Sequence, residues 1–312
     1  MDIVIARHIA SIVLGELQRF ESMGVVPLFN SHQEGPEYLT FSQALAQNHL
    51  TVAEATDSVS KLNVMSRAEI PVLLLEGEEL GGARQSGVLN RTILLQDQAE
   101  TVIPVGCAEG NGWSHPSSAR VKELERYLQA FQPVPRQRGF LATINGEIVG
   151  LDIVSREGAF QLLHPTLIKR YAMDAWFEEP QASHEQFYDQ ALNFFHEAAK
   201  CEERAYPSSG GGLNFEFDGP IVSGSALVVG QHVIHLSLFR TLAPPQRNDG
   251  FLTRPGYEGS SLCRRRAGFS SIAGDQDWPR RDMDRSRKYR ALALSLSRAD
   301  KATCWPPSSS TR

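Results

Sequence analysis

Short apolar runs separated by turn residues dominate the first three quarters of the chain. The runs at residues 11–20, 23–29, 51–54, 59–64, 71–75, 88–95 and 101–105 are β-type runs that alternate with turn signals. Residues 139–144 and 147–154 flank Asn145-Gly146. Both turn residues of a type I′ hairpin need φ > 0, which Asn-Gly supplies, so this dipeptide between apolar runs predicts a tight hairpin. Runs at 213–217, 226–229 and 232–239 close the series. Helical spacing occurs in four places. Residues 41–47 follow Thr40, a suitable N-cap. Residues 118–131 place Val121, Leu124, Leu128 and Phe131 on one face. A third helix is expected over 164–176, beginning beside Pro165. Residues 183–204 open with Ser183-His184-Glu185-Gln186, a capping-box pattern, and carry a stripe of Phe187, Ala191, Phe194, Phe195 and Ala198. The pattern predicts a strand-rich α+β fold: two packed, mostly antiparallel sheets with three to four helices.

The pattern stops near Ala243. Residues 243–312 carry 14 Lys+Arg against 7 Asp+Glu, whereas residues 1–242 carry the remaining 17 and 29. The basic part holds Arg264-Arg265-Arg266 and Pro306-Pro307-Ser308 and shows no sustained period of 2 or 3.6. Such a composition buries too little apolar surface to offset chain entropy. A single domain over 1–242 followed by a disordered basic tail over 243–312 is therefore expected. A basic arm for nucleic acid or an acidic partner and an out-of-frame translation are the other readings of the tail. The acidic body argues against nucleic acid as the main partner of the folded domain. No apolar run approaches the length of a membrane helix, and four widely spaced cysteines form no disulfide framework. A cytoplasmic protein without membrane contact is the expectation.

Polar residues of chemical interest concentrate between Leu75 and His115. The run at 71–75 ends in Glu76-Gly77-Glu78-Glu79-Leu80-Gly81-Gly82-Ala83-Arg84-Gln85. Glycines permit sharp turns and close approach of a ligand. Arg84 suits a phosphate or carboxylate, and carboxylates beside it suit acid–base work or a divalent cation. A strand, a glycine turn and an ordinary Arg–Glu pair explain the same residues. The spacing fits neither a dinucleotide fingerprint nor a Walker loop. A second cluster runs Ile103-Pro104-Val105-Gly106-Cys107-Ala108-Glu109-Gly110-Asn111-Gly112-Trp113-Ser114-His115. Cys107 with His115 nearby suggests a nucleophile and its base, and Cys107, Glu109 and His115 are also zinc-type ligands. A strand-end cysteine is more often a small packed side chain. His232 and His235 are three apart on a strand, hence on opposite faces. His164 is expected to begin a helix, and His184 and His196 to lie on the surface. No residue is singled out as a metal ligand, and the cofactor stays open.

The residues from Leu73 to Gln85, then Leu89-Asn90, Ile103 to Glu109, and Trp113 resemble the ADP-ribosylglycohydrolase- and rhodanese/phosphatase-associated protein domain. The 139–150 hairpin and Tyr171-Ala172-Met173-Asp174-Ala175 are similar to it as well. The resemblance spans roughly residues 10–240. Arg84 stands where the family usually has Lys, Gly106 where it has Ser, and Gly112 where it has Arg. The family's company implies a link to ADP-ribose or NAD metabolism. One reading is a module binding a nucleotide or ADP-ribose-type small molecule. In it Arg84 contacts phosphate, Gln85 and Asn90 contact ribose, Trp113 stacks on the base, and Glu76 and Glu79 tune the site. The other is a hydrolase or transferase on such a nucleotide, with Cys107 as nucleophile or Glu78 or Glu109 as general base. A structural partner of another enzyme is the third.

Overall fold

The computed structural model describes residues 1–54, 61–81, 86–107, 118–181 and 187–241. The expectations for 243–312 lie outside these residues. The strand-rich α+β class expected from the sequence holds, with five helices and three sheets among the described residues. The helices are α1 (Ile3–Ala10), α2 (Phe41–Ala46), α3 (Ser118–Ala130), α4 (Glu157–Ala175) and α5 (Phe187–Ala198).

The largest sheet is antiparallel throughout. It comprises β1 (Ile12–Leu14), β2 (Gln18–Phe20), β3 (Met23–Asn30), β12 (Gly139–Ile144), β13 (Glu147–Val154), β14 (Glu202–Pro207), β15 (Leu213–Asp218), β16 (Val222–Val229) and β17 (His232–Arg240). Their order is β1-β3-β12-β13-β17-β16-β15-β14, with β2 also on β3. The β12–β13 turn is the expected hairpin, with Asn145 at φ 50° and Gly146 at φ 82°.

Successive residues of a strand face opposite sides, so each face of this sheet needs its own cover. Leu141, Leu151, Ile153, Leu236 and Leu238 pack with Ile5 of α1 and Ala191 and Phe194 of α5. On the other face, Phe140, Ala142, Val154 and Phe239 pack with Phe160, Leu167 and Tyr171 of α4 and Tyr127 of α3.

The three-stranded sheet joins β4 (Leu39–Thr40), β7 (Val72–Leu74) and β10 (Ile93–Leu95). It is buried on both sides. Leu73, Leu75 and Leu94 join the α4 core, while Val72, Leu74, Ile93 and Leu95 join a third core. That third core is shared with α2 and a five-stranded sheet of β5 (Leu50–Glu54), β6 (Lys61–Ser66), β8 (Glu79–Gly81), β9 (Ser86–Leu89) and β11 (Glu100–Cys107).

Thr40 caps α2 as expected, in a reciprocal capping box with Gln43. Several elements differ from the sequence pattern: the helix expected over 183–204 ends at Ala198 and β14 begins at Glu202. Residues 3–10 form a helix, started by the Asp2 side chain, which accepts from the Val4 amide. The 88–95 run is two strands in different sheets, β9 and β10. Helix α4 begins at Glu157, so Pro165 lies inside it and His164 is a core residue, 4 % exposed between the Phe140 and Phe160 rings.

Candidate functional site

The glycine-rich stretch after β7 is a turn. Gly77 has φ 82°, a left-handed conformation that glycine adopts without steric cost. The Glu78 amide donates to Leu75 O (3.1 Å), and Gly77 N and Leu89 N complete the return with bonds to Leu89 O and Glu78 O. The turn separates the three carboxylates. Glu76 is buried and its carboxylate accepts from Ser225 Oγ of β16 at 3.2 Å. Glu78 folds back so that its carboxylate accepts from the Leu75 amide at 2.7 Å. Glu79 is exposed on β8.

Glu76 is held at its main chain as well. Its N–H donates to Thr92 Oγ1 at 3.2 Å, and its carbonyl accepts from Arg170 of α4. Thr92 Oγ1 lies 2.9 Å from His235 Nδ1, and His235 Nε2 lies 3.0 Å from Asp152 Oδ1. Tyr171 donates to Asp152 Oδ2 at 2.7 Å. Thr92, Asp152, Arg170, Tyr171 and His235 are all buried. Gly150 makes room for this cluster: a Cβ there would lie 2.7 Å from Leu238 O and 3.1 Å from the Tyr171 hydroxyl.

The electrostatics follow from this packing. Burial pushes the Glu78 carboxyl up to about 7, against the opposing pull of the Leu75 amide and the Arg170 charge. Burial also acts to raise Asp152, but the His235 hydrogen bond, then the Arg170 charge and the Tyr171 bond, outweigh it and hold the carboxyl below its ordinary value.

At the rim, Asn90 is exposed beside Gly106, where a Cβ would lie 2.9 Å from Asn90 Oδ1. Arg91 pairs with Glu216 (2.8 Å) and covers the Tyr206 ring at 4.4 Å. Tyr206 donates to the same carboxylate at 2.7 Å, and burial followed by that bond raises its hydroxyl pKa. Cys107 ends β11 opposite Gly87. Of the sequence candidates, Glu76 and Glu78 lie on the turn with their carboxylates on different partners, and Asn90 follows Leu89, which bonds back to the turn. Arg84, Gln85, Glu109, Trp113 and His115 lie outside the described residues.

A model of the ARG and Rhodanese-Phosphatase-superfamily-associated Protein domain matches residues 11–121 and 117–239. The chain belongs to this family. No curated protein and no solved structure matches it. The matched ranges of this family member include Glu76, Thr92, Asp152, Arg170, Tyr171 and His235.

Sequence reading missed Thr92, Asp152, Arg170, Tyr171 and His235 as site residues. The available signal was chemical: Asp152 and His235 each interrupt an apolar strand, where a buried polar group requires a partner. Among the described residues, no group of three or more His, Cys, Asp or Glu is placed to hold a metal ion, and no helix is long and apolar enough to cross a membrane. A shallow depression lined by Met65, Ser66, Arg67, Gln98, Ala99 and Glu100 shares no residue with the turn.

Proposed function

We propose that this chain is a ligand-binding module of ADP-ribose or NAD metabolism, working in the cytoplasm, whose site is the Glu76-Gly77-Glu78 turn with its neighbours. The observation that carries the reading is the buried ionisable network beneath that turn: Arg170, Asp152 and His235 stand where a merely structural core would hold apolar side chains. Buried charges of this kind cost stability relative to well-packed hydrophobics, and they concentrate at functional sites. In this reading Arg84 contacts phosphate, Gln85 and Asn90 contact ribose hydroxyls, and Trp113 stacks on the base. Glu76 and Glu79 supply the acidic surroundings. Residues 1–242 form the binding unit. A thermal-shift panel of ADP-ribose, NAD, ADP, simple sugars and divalent metals tests it on the full chain. A ligand at 100 times its dissociation constant adds about 2.7 kcal/mol. A shift with ADP-ribose or NAD supports the reading; no shift with any nucleotide counts against it.

One observation favours a second reading, an enzyme acting on the same nucleotide class. A carboxyl pushed up to about 7 is poised for proton transfer near neutral pH, which suits Glu78 as general acid or base. Cys107 as nucleophile and Glu109 as base belong to the same reading. Turnover of ADP-ribose-type nucleotides by the wild type, abolished in Glu78→Gln, supports it; absence of turnover with and without divalent metal opposes it.

A further inference from the structure

Three side chains from three separate elements hold the single residue Glu76. Thr92, just before β10, takes its N–H; Arg170 of α4 takes its C=O; Ser225 of β16 takes its carboxylate. Backbone groups at a strand end ordinarily bond to a neighbouring backbone or to water. Here the main-chain bonds go to buried side chains instead.

The direction of the chain behind Thr92 follows from its chemistry. An ionised carboxylate only accepts, so Asp152 takes the Tyr171 hydroxyl proton at Oδ2 and the His235 Nε2–H at Oδ1. In the neutral ring this leaves Nδ1 as an acceptor, so the Thr92 hydroxyl donates to it. Thr92 Oγ1 then keeps a lone pair for the Glu76 amide. Each step has one donor and one acceptor, and the chain terminates on Asp152. It fastens the turn after β7 to β17 and β13 in the middle of the nine-stranded sheet.

We propose that Arg170 and the Thr92–His235–Asp152 chain are positioning residues: they fix the Glu76 main chain from beneath, and so set the placement of Glu78 and Asn90 without touching ligand. The inference rests on the turn being the ligand site, but its primary test needs no ligand.

Thr92→Val is nearly isosteric and removes only the hydroxyl link; Thr92→Ser restores it. The Glu78 side-chain carboxyl is titrated by carbon-13 NMR in the full chain for the wild type and both variants. We expect a midpoint near 7 in the wild type and in Thr92→Ser. In folded Thr92→Val it falls by at least about one pH unit toward the ordinary carboxylate range, because a loosened turn admits water to the carboxyl. An unchanged midpoint in folded Thr92→Val overturns the proposal. Should Thr92→Val not fold, nitrogen-15 shifts of His235 in the wild type decide: a ring protonated at Nε2 alone supports the chain as drawn, and a ring carrying a proton on Nδ1, whether neutral or charged, overturns it. Titration with ADP-ribose alongside tests the ligand reading separately. Failure of ADP-ribose to bind the wild type sinks that reading while leaving the Glu78 result to judge the positioning.

Discussion

Asp152 and His235 lie 83 residues apart in sequence, yet Oδ1 of one is 3.0 Å from Nε2 of the other, and both side chains are buried. The pair joins β13 to β17 beneath the turn that carries Glu76 and Glu78. Asp152 also receives the Tyr171 hydroxyl, so its loss leaves two buried partners without their acceptor.

Removing either member strands the other. We expect Asp152→Ala and His235→Ala each to lower unfolding free energy by about 3–5 kcal/mol. The double variant should cost clearly less than the sum, since both singles remove the same contact. Urea unfolding of the four proteins measures this; strict additivity would show that the pair is not coupled.

Stability should rise with pH across the mildly acidic range. Burial first, then the charges of His32 and Arg138, depress His8 to about 4; burial depresses His164 to about 4. Between roughly pH 4.5 and 6.5 the unfolded chain therefore binds two protons that these folded histidines refuse. Glu78 works in the opposite sense. Its folded carboxyl, raised to about 7, holds a proton that the unfolded one has lost, so its contribution is full below 4.5 and disappears as pH rises through 7. The net difference of one proton gives a slope of about 1.4 kcal/mol per pH unit. His164→Leu should flatten the slope, and Glu78→Gln should roughly double it. Unfolding free energies at pH 4.8 and 6.3 provide the check, and a flat wild-type profile would contradict the burial of these groups.

Two glycines should respond differently to one added methyl. At Gly150 a Cβ meets the backbone oxygen of Leu238 and the Phe239 ring, neither of which can easily yield. Gly150→Ala should cost about 1–3 kcal/mol by overpacking. At Gly106 the nearest atom is the end of the Asn90 side chain, which can swing aside. Gly106→Ala should cost less than about 1 kcal/mol. Thermal denaturation of the two variants ranks them, and the reverse ranking would contradict the close approach of Leu238, Phe239 and Tyr171 to Gly150.

Much of the strand framework was legible because it is written locally. Asn145-Gly146 specifies its hairpin, and Thr40 with Gln43 specifies the start of α2. What escaped depends on partners distant in sequence. Helix α4 packs apolar side chains against the sheet, α3 and the three-stranded sheet, so its face pattern does not mark where it begins, and Pro165 was mistaken for its start. The run at 88–95 looks continuous, but Asn90, Arg91 and Thr92 carry the chain from one sheet to another. The candidate site divides in the same way. Glu76, Glu78 and Asn90 stand out as a polar cluster beside glycines. Thr92, Asp152, Arg170 and His235 sit singly within apolar or unremarked stretches, and only the sheet order brings them together.

Calorimetric titration of ADP-ribose into the full chain and into Arg84→Ala decides whether a nucleotide-type ligand binds at the Glu76-Gly77-Glu78 turn, as proposed. Saturable binding to the wild type is expected, weakened at least about tenfold in a folded Arg84→Ala, the equivalent of 1.4 kcal/mol. No binding to the wild type, or equal affinity in both proteins, would contradict it.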